Sequence, residues 1–205
     1  KASREDRDGE QTFVAAGAII PVAPIDAAFV TTKGACFRVA HAHAAEELVS
    51  QISELDIRPD QIFVGSGSGN THSGLLVGLR LLGCRIPVVG ICVRRSIVEQ
   101  QPRMEARCQQ LIDLLGVPSP LSEGDVITRD DYLKPGYGRS GPDAVEAIRL
   151  GASKEGLILD PVYTGKVMAG LIAASRATTG QTLVFIHSGG GPALFGYATD
   201  VRSMV

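Results

Sequence analysis

The stretch QIFVGSGSGNTHSGLLVGLRLLGCRIPVVGICV, residues 61–93, decides the fold. Gln61-Ile62-Phe63-Val64 is a short apolar run suited to a buried strand. Gly65-Ser66-Gly67-Ser68-Gly69-Asn70-Thr71 follows as a glycine-rich turn, and His72 to Leu82 reads as a helix with small residues on its first turn. Pro87 to Val93 is a second buried strand. Strand, helix and strand within about 35 residues form the crossover unit of a parallel sheet, because parallel neighbours cannot be joined by a hairpin.

The same alternation continues on both sides. Upstream, Phe37 to Leu55 places Val39, Ala42, Leu48, Val49, Ile52 and Leu55 near one helix face, and Arg58-Pro59-Asp60 ends it. Further upstream, Ala18 to Val22 reads as a strand, residues 23–34 as a loop and residues 1–12 as a linker or frayed segment. Downstream, residues 97–116 form a helix ending at Gly116, Asp143 to Gly151 is helical, and Leu157-Ile158-Leu159 is strand-like. Gly165 to Arg176 is a helix with a small-residue face at Ala169, Gly170, Ala173 and Ala174, and Leu183 to His187 is a third clear strand. No internal repeat interrupts this order. The expected class is α/β, a parallel sheet flanked by helices, with residues 13–205 forming one unit.

Composition narrows the function classes. With 205 residues the chain can bury a real core, and 44% hydrophobic with 20% charged residues is the balance of an ordinary globular protein. A formal net charge of −2 argues against a nucleic-acid or anionic-membrane partner. No run of about 18 apolar residues is present, so no membrane span is expected. Lys1 to Glu10 is charged and unlike a signal peptide, and since residue 1 is not methionine the start of the gene product is expected upstream. Cys36, Cys84, Cys92 and Cys108 form no CxxC pair and have no histidine at zinc-ligand spacing. Free thiols in a reduced, cytoplasmic protein without a metal site are the expectation.

Four segments could carry chemistry. The glycine turn at 65–71 sets several backbone N–H groups at a helix N-terminus, where the dipole and the unsatisfied amides favour an anion. Ser68, Asn70 and Thr71 add side-chain donors. It lacks the Gly-Lys-Ser/Thr ending of a P-loop, and no acidic residue ends the 88–93 strand to hold a ribose. A phosphate monoester therefore fits better than a dinucleotide; the alternative is a tight turn with a helix cap. The second segment, Leu159-Asp160-Pro161-Val162-Tyr163-Thr164-Gly165-Lys166, puts Tyr163 and Thr164 at the mouth of the sheet, or is simply an Asp-Pro turn opening a helix. The third, His187-Ser188-Gly189-Gly190-Gly191-Pro192, is an anion nest or a surface for a planar ring, with His187 itself read as structural. The fourth, Pro135-Gly136-Tyr137-Gly138, either offers a tyrosine to a site or covers a core edge.

In this order the segments resemble the fold-type-II, tryptophan-synthase-β-like pyridoxal-phosphate enzymes, in the branch of D-cysteine desulfhydrases and 1-aminocyclopropane-1-carboxylate deaminases. The matching stretches are GSGSGNTHSGLLVGL (65–79), GYG (136–138), AVEAIRLGASKEGLILDPVYTGK (144–166) and FIHSGGGPALFGY (185–197). The resemblance implies pyridoxal 5′-phosphate as cofactor and a cofactor-binding large-domain portion over 13–205. It implies that Gly67, Ser68, Gly69, Asn70 and Thr71 hold the cofactor phosphate, that Ser188, beside Gly189, faces the pyridine nitrogen, and that Tyr137, Tyr163 and Thr164 are the catalytic set. Deaminases of the family carry a glutamate at the position of Thr164 and a leucine at that of Ser188, so this chain leans to β-elimination from a D-cysteine-like amino acid, giving pyruvate, ammonia and sulfide. Cysteate sulfo-lyase, deaminase activity and a non-catalytic phosphate-binding module are the alternatives. The implied partner is a small amino-acid substrate, in a homodimeric parent enzyme.

The chain departs from the family in two places. The Gly-Asn-Lys segment bearing the Schiff-base lysine and the Ser-Asn-His segment that grips the substrate carboxylate are both missing, and none of Lys1, Lys33, Lys134, Lys154 and Lys166 stands in a Gly-Asn-Lys context. Residues 24–37 are longer and poorer in glycine than the corresponding family loop. A fragment, one chain of a split protein, or a non-catalytic relic would each account for this. The isolated chain is expected to be inactive.

Overall fold

The computed structural model describes residues 33–198, with side chains from Arg38 onward. Among them the elements are α1 (Lys33–Glu54), β1 (Gln61–Ser66), α2 (Asn70–Leu81), β2 (Val88–Cys92), α3 (Ile97–Leu115), β3 (Ile127–Arg129), α4 (Pro142–Glu155), α5 (Thr164–Ala177), β4 (Leu183–Phe185) and α6 (Ala193–Gly196). The expected linker at 1–12, the strand at 18–22 and all of the 23–34 loop up to residue 32 lie outside the described residues. Lys33 and Gly34, read as loop, already belong to α1.

The four strands are parallel, in the order β3-β2-β1-β4. Val64 pairs with Gly90 on one side of β1, and Phe63 with Phe185 on the other. Successive strand residues face opposite sides, and each side is covered by helices. Ile62 and Val64 enter a core with Ala45, Leu48, Leu76, Leu79 and Leu111 from α1, α2 and α3. Phe63 enters a second core with Ile148, Val167, Met168 and Leu171 from α4 and α5. All three strand residues are fully buried, each contributing about 2 kcal/mol. An all-apolar strand is what a sheet covered on both faces requires.

Local chemistry sets the helix ends. Ser96 and Glu99 form a capping box on α3, whose other end stops at Gly116 in the left-handed region. Pro142 opens α4 and left-handed Gly156 closes it. A Cβ at Gly74 or Gly78 would run into the backbone of α1, so α2 lies directly against that helix.

Two expectations need correction. Leu157-Ile158-Leu159 is not a strand: it has three residues between the Gly156 cap and the Asp160 turn, and its Ile158 carbonyl accepts from His187 Nε2 at 2.9 Å instead of joining a ladder. β4 stops at Phe185, although the Ile186 N–H still donates to the Phe63 carbonyl at 2.9 Å. β3 carries no sequence signal of its own. Ile127-Thr128-Arg129 is a strand only because it lies beside Val89–Ile91.

Candidate active site at the glycine loop

The chain runs from β1 to β2 to β3 on one side of β1 and then returns to place β4 on the other. The loops leaving β1 and β4 therefore diverge at their C-terminal ends, the point where open α/β sheets hold ligands. A cavity of about 310 Å³ lies there, lined by Gly65, Gly67, Ser68, Gly69, Thr71, Tyr163, Ser188, Gly189 and Gly190.

The glycine loop is shaped by what lies beneath it. Gly69 adopts φ 87° and α2 begins at Asn70, so the first-turn amides of α2 face the loop's open side. A Cβ on Gly67 would stand 2.9 Å from the Tyr163 ring and 3.0 Å from Val93, so only glycine lets the backbone lie there. Below the loop, Ser66, His72 and Gln100 are fully buried. Gln100 Nε2 donates to Ser66 Oγ at 2.9 Å and to the Gly67 carbonyl at 3.3 Å, while His72 Nδ1 lies 3.2 Å from Ser66 Oγ. Burial pushes His72 down to about 4, so the ring is neutral. Its Nε2 is buried on the side of the Val88 backbone.

Asp160 organises the second segment. Its Oδ1 accepts from the Val162 and Tyr163 N–H groups at 2.8 Å each, and its Oδ2 from the Thr164 N–H at 2.9 Å and the Thr164 hydroxyl at 2.7 Å. The Asp160 N–H donates back to Thr164 Oγ1 at 2.7 Å. The carboxylate thus caps the start of α5, where both amides and dipole favour it. A Cβ on Gly190 would overlap this carboxylate, so the Ser188–Gly190 turn packs directly on Asp160.

That frame aims Tyr163 at the cavity. Its hydroxyl lies 3.1 Å from the Tyr137 hydroxyl, the two rings meeting edge to face at 6.1 Å. Burial, then the hydrogen bond shared with Tyr137, raises Tyr163 to about 12. Tyr137 is 49% exposed and carries the Arg94 guanidinium 5.4 Å above its ring. Its loop is tied down by Lys166, fully buried, whose Nζ donates to the Leu133 carbonyl at 2.8 Å and the Gly136 carbonyl at 2.7 Å.

The structure therefore brings Gly67, Ser68, Gly69, Thr71, Tyr163, Ser188 and Gly189 to one cavity, with Tyr137 at its edge. Asn70 is not on the lining; its Oδ1 accepts from Arg38 at 3.4 Å. Thr164 is fully buried with its hydroxyl committed to Asp160 in both directions, and it does not reach the cavity. His187 holds the Ile158 carbonyl and accepts from the Gly189 N–H at 3.3 Å, a structural arrangement. Sequence reading passed over Asp160, Gln100 and the clamp by Lys166. Only the Asp-Pro turn with a threonine four residues after the aspartate hinted at the first. Cys84, Cys92 and Cys108 are free thiols, and burial pushes Cys92 and Cys108 up to about 12.

A parallel sheet covered by helices on both faces, with a glycine loop opening a helix at its switch point and Tyr163 beside it, defines an α/β protein with a cavity shaped for a small ligand. The chain matches the model of the pyridoxal-phosphate dependent enzymes over residues 28–189 and belongs to that family. D-cysteine desulfhydrases of Salmonella paratyphi C and Salmonella typhi are 40% identical over 164 residues, which is 78% of this chain and 49% of those proteins. The chain thus spans about half the length of these curated relatives. The crystal structure of an ACC deaminase homologue superposes with a TM-score of 0.72 and 32% identity, over 82% of this chain and 50% of that one. The T.th. threonine deaminase, at 18% identity and a TM-score of 0.52 over 74% of this chain and 57% of its own, shares the fold. The cofactor of the family is pyridoxal phosphate. The cavity fits it: the volume is at the low end for small-ligand sites, and Gly67 puts backbone rather than side chain on the lining.

Proposed function

We propose that this chain serves pyridoxal-phosphate-dependent β-elimination from a D-cysteine-like amino acid, giving pyruvate, ammonia and sulfide. The observation that carries this reading is the hydroxyl pair of Tyr137 and Tyr163, 3.1 Å apart at the rim of the glycine-loop cavity. The similarity to proteins named D-cysteine desulfhydrase supports it. Bound pyridoxal phosphate supplies an electron sink for negative charge developing on the substrate. The loop amides at Gly67, Ser68, Gly69 and Thr71 would hold its phosphate, and the Ser188 hydroxyl would offer its ring nitrogen a neutral partner.

Tyr163, raised to about 12, keeps its proton at neutral pH and acts as a donor. It steadies the departing sulfur, and the more exposed Tyr137 resupplies its proton from solvent. Thr164 enters as a positioning residue: it holds Asp160, and through Asp160 the Tyr163 backbone.

Among the described residues no lysine lines the cavity, since Lys166 is committed to two carbonyls while Lys134 and Lys154 are exposed. The lysine that anchors the cofactor is therefore inferred to come from outside the residues whose side chains are described. That same observation favours one rival, a module that binds a phosphorylated ligand without chemistry. Among the described residues no helix is long and apolar enough to cross a membrane. A cytoplasmic homodimer acting on a free amino acid completes the proposal.

The test supplies the chain with pyridoxal phosphate and a lysine-bearing segment of the family, then measures pyruvate and sulfide from D-cysteine. Turnover only with both present is expected. Ring opening of 1-aminocyclopropane-1-carboxylate to α-ketobutyrate, or sulfite from cysteate, would replace the substrate assignment. Ligand binding with no product under any condition would leave the binding module.

A further inference from the structure

Three arginines from two helices and a loop converge on the back of the glycine loop. Arg95 donates from Nη1 to the Gly67 carbonyl at 3.2 Å, Arg38 from Nη1 to Asn70 Oδ1 at 3.4 Å, and Arg107 Cγ lies 3.7 Å from where a Gly69 Cβ would stand. Arg38 is 6% exposed, and its Nε is buried without a hydrogen-bond partner. Among the described residues, none of the three forms an ion pair. The nearest acidic residues along α3 are engaged elsewhere, Glu99 with Ser96 and Glu105 with Gln101. Like charges gathered and half-buried without a carboxylate are unfavourable unless an anion is held close by. Burial, and then the charges of Arg38 and Arg95, lower Arg107 from its ordinary value.

None of the three lines the cavity. Their influence passes through the loop itself. In a trans peptide the C=O and N–H point in opposite directions. Pinning the Gly67 carbonyl from behind, with Arg95 and Gln100, therefore turns the Ser68 N–H the other way, toward the cavity that Ser68 lines. A cationic donor on the carbonyl also deepens the peptide's polarity.

We propose that Arg38, Arg95 and Arg107 form a cationic backing to the glycine loop that sets its affinity for a doubly charged phosphate monoester. They are positioning and field residues, and the proposal rests on the loop being the cofactor-phosphate site. The test is calorimetric titration of the full chain with pyridoxamine 5′-phosphate, which has no aldehyde to react with surface lysines, across a range of salt concentrations. Arg95→Gln and Arg107→Gln are each expected to weaken binding about five- to tenfold at low salt and to flatten its salt dependence. Arg95→Lys keeps the charge and should keep the salt dependence. Arg149→Gln, an exposed change of the same net charge on α4, should bind as the parent does. Unfolding midpoints of each variant identify any that fails to fold, and Arg107→Gln breaks no side-chain hydrogen bond among those observed. Parent-like affinity and salt dependence in both glutamine variants would overturn the backing. A parent chain that does not bind the phosphorylated compound at all would instead overturn the phosphate-site reading beneath it.

Discussion

Asp160 and Tyr163 carry the site at the scale of single residues. The Asp160 carboxylate takes four hydrogen bonds within one turn of chain, so each of its oxygens is matched to donors. Asp160→Asn keeps one oxygen but turns an NH2 group toward amide N–H groups, leaving buried donors opposed. A loss of about 2–3 kcal/mol is expected in urea unfolding, with Tyr163 displaced from Tyr137. Tyr163→Phe removes only a hydroxyl. In the complete enzyme it should lower kcat about a hundredfold while pyridoxamine 5′-phosphate binds as before. Unchanged kcat would remove Tyr163 from the proton path. The Asp160 turn is local, yet an Asp-Pro turn and a tyrosine are too common to announce it, and the second hydroxyl, that of Tyr137, arrives from the fold across 26 residues.

Between elements, the decisive contact joins α5 to the loop before α4. Lys166 reads in sequence as an ordinary lysine at a helix start, yet its ammonium is buried and bridges the Leu133 and Gly136 carbonyls. It fixes the loop that presents Tyr137. Lys166→Met should cost about 2 kcal/mol by leaving two carbonyls unpaired. It should also speed amide exchange across residues 133–138 more than in the sheet, as hydrogen-exchange mass spectrometry would detect. Equal protection of that loop in the variant would show that the clamp is not needed. At the other end of α2, Arg80 Nε donates to Asp125 at 2.8 Å and ties the helix to the approach to β3, again a pairing across 45 residues that no local pattern announces.

At the scale of the whole molecule, stability is linked to the neutral His72 beneath the loop. Its folded value, about 4, is below the ordinary 6.5, so its contribution is fully present above about pH 6.5 and is lost as pH falls through about 4. The total is about 3 kcal/mol. Urea unfolding at pH 7 and pH 4 should show a smaller difference in His72→Gln than in the parent; equal differences would mean that His72 is not the linked group. The sequence by itself determined the alternation of apolar runs and helices, the glycine turn, and hence a parallel sheet with a glycine loop at the end of one strand. Those follow from periodicity and local backbone chemistry, which act over a few residues. Only the tertiary structure decided that Ile127-Thr128-Arg129 is a strand and Leu157-Ile158-Leu159 is not. It also decided that Thr164 turns inward to Asp160, and that Arg38, Arg95 and Arg107 meet behind the loop. The strand assignments and the meeting of the arginines depend on partners well separated along the chain, whose approach is set by packing two helical layers on one twisted sheet rather than by immediate chain neighbours.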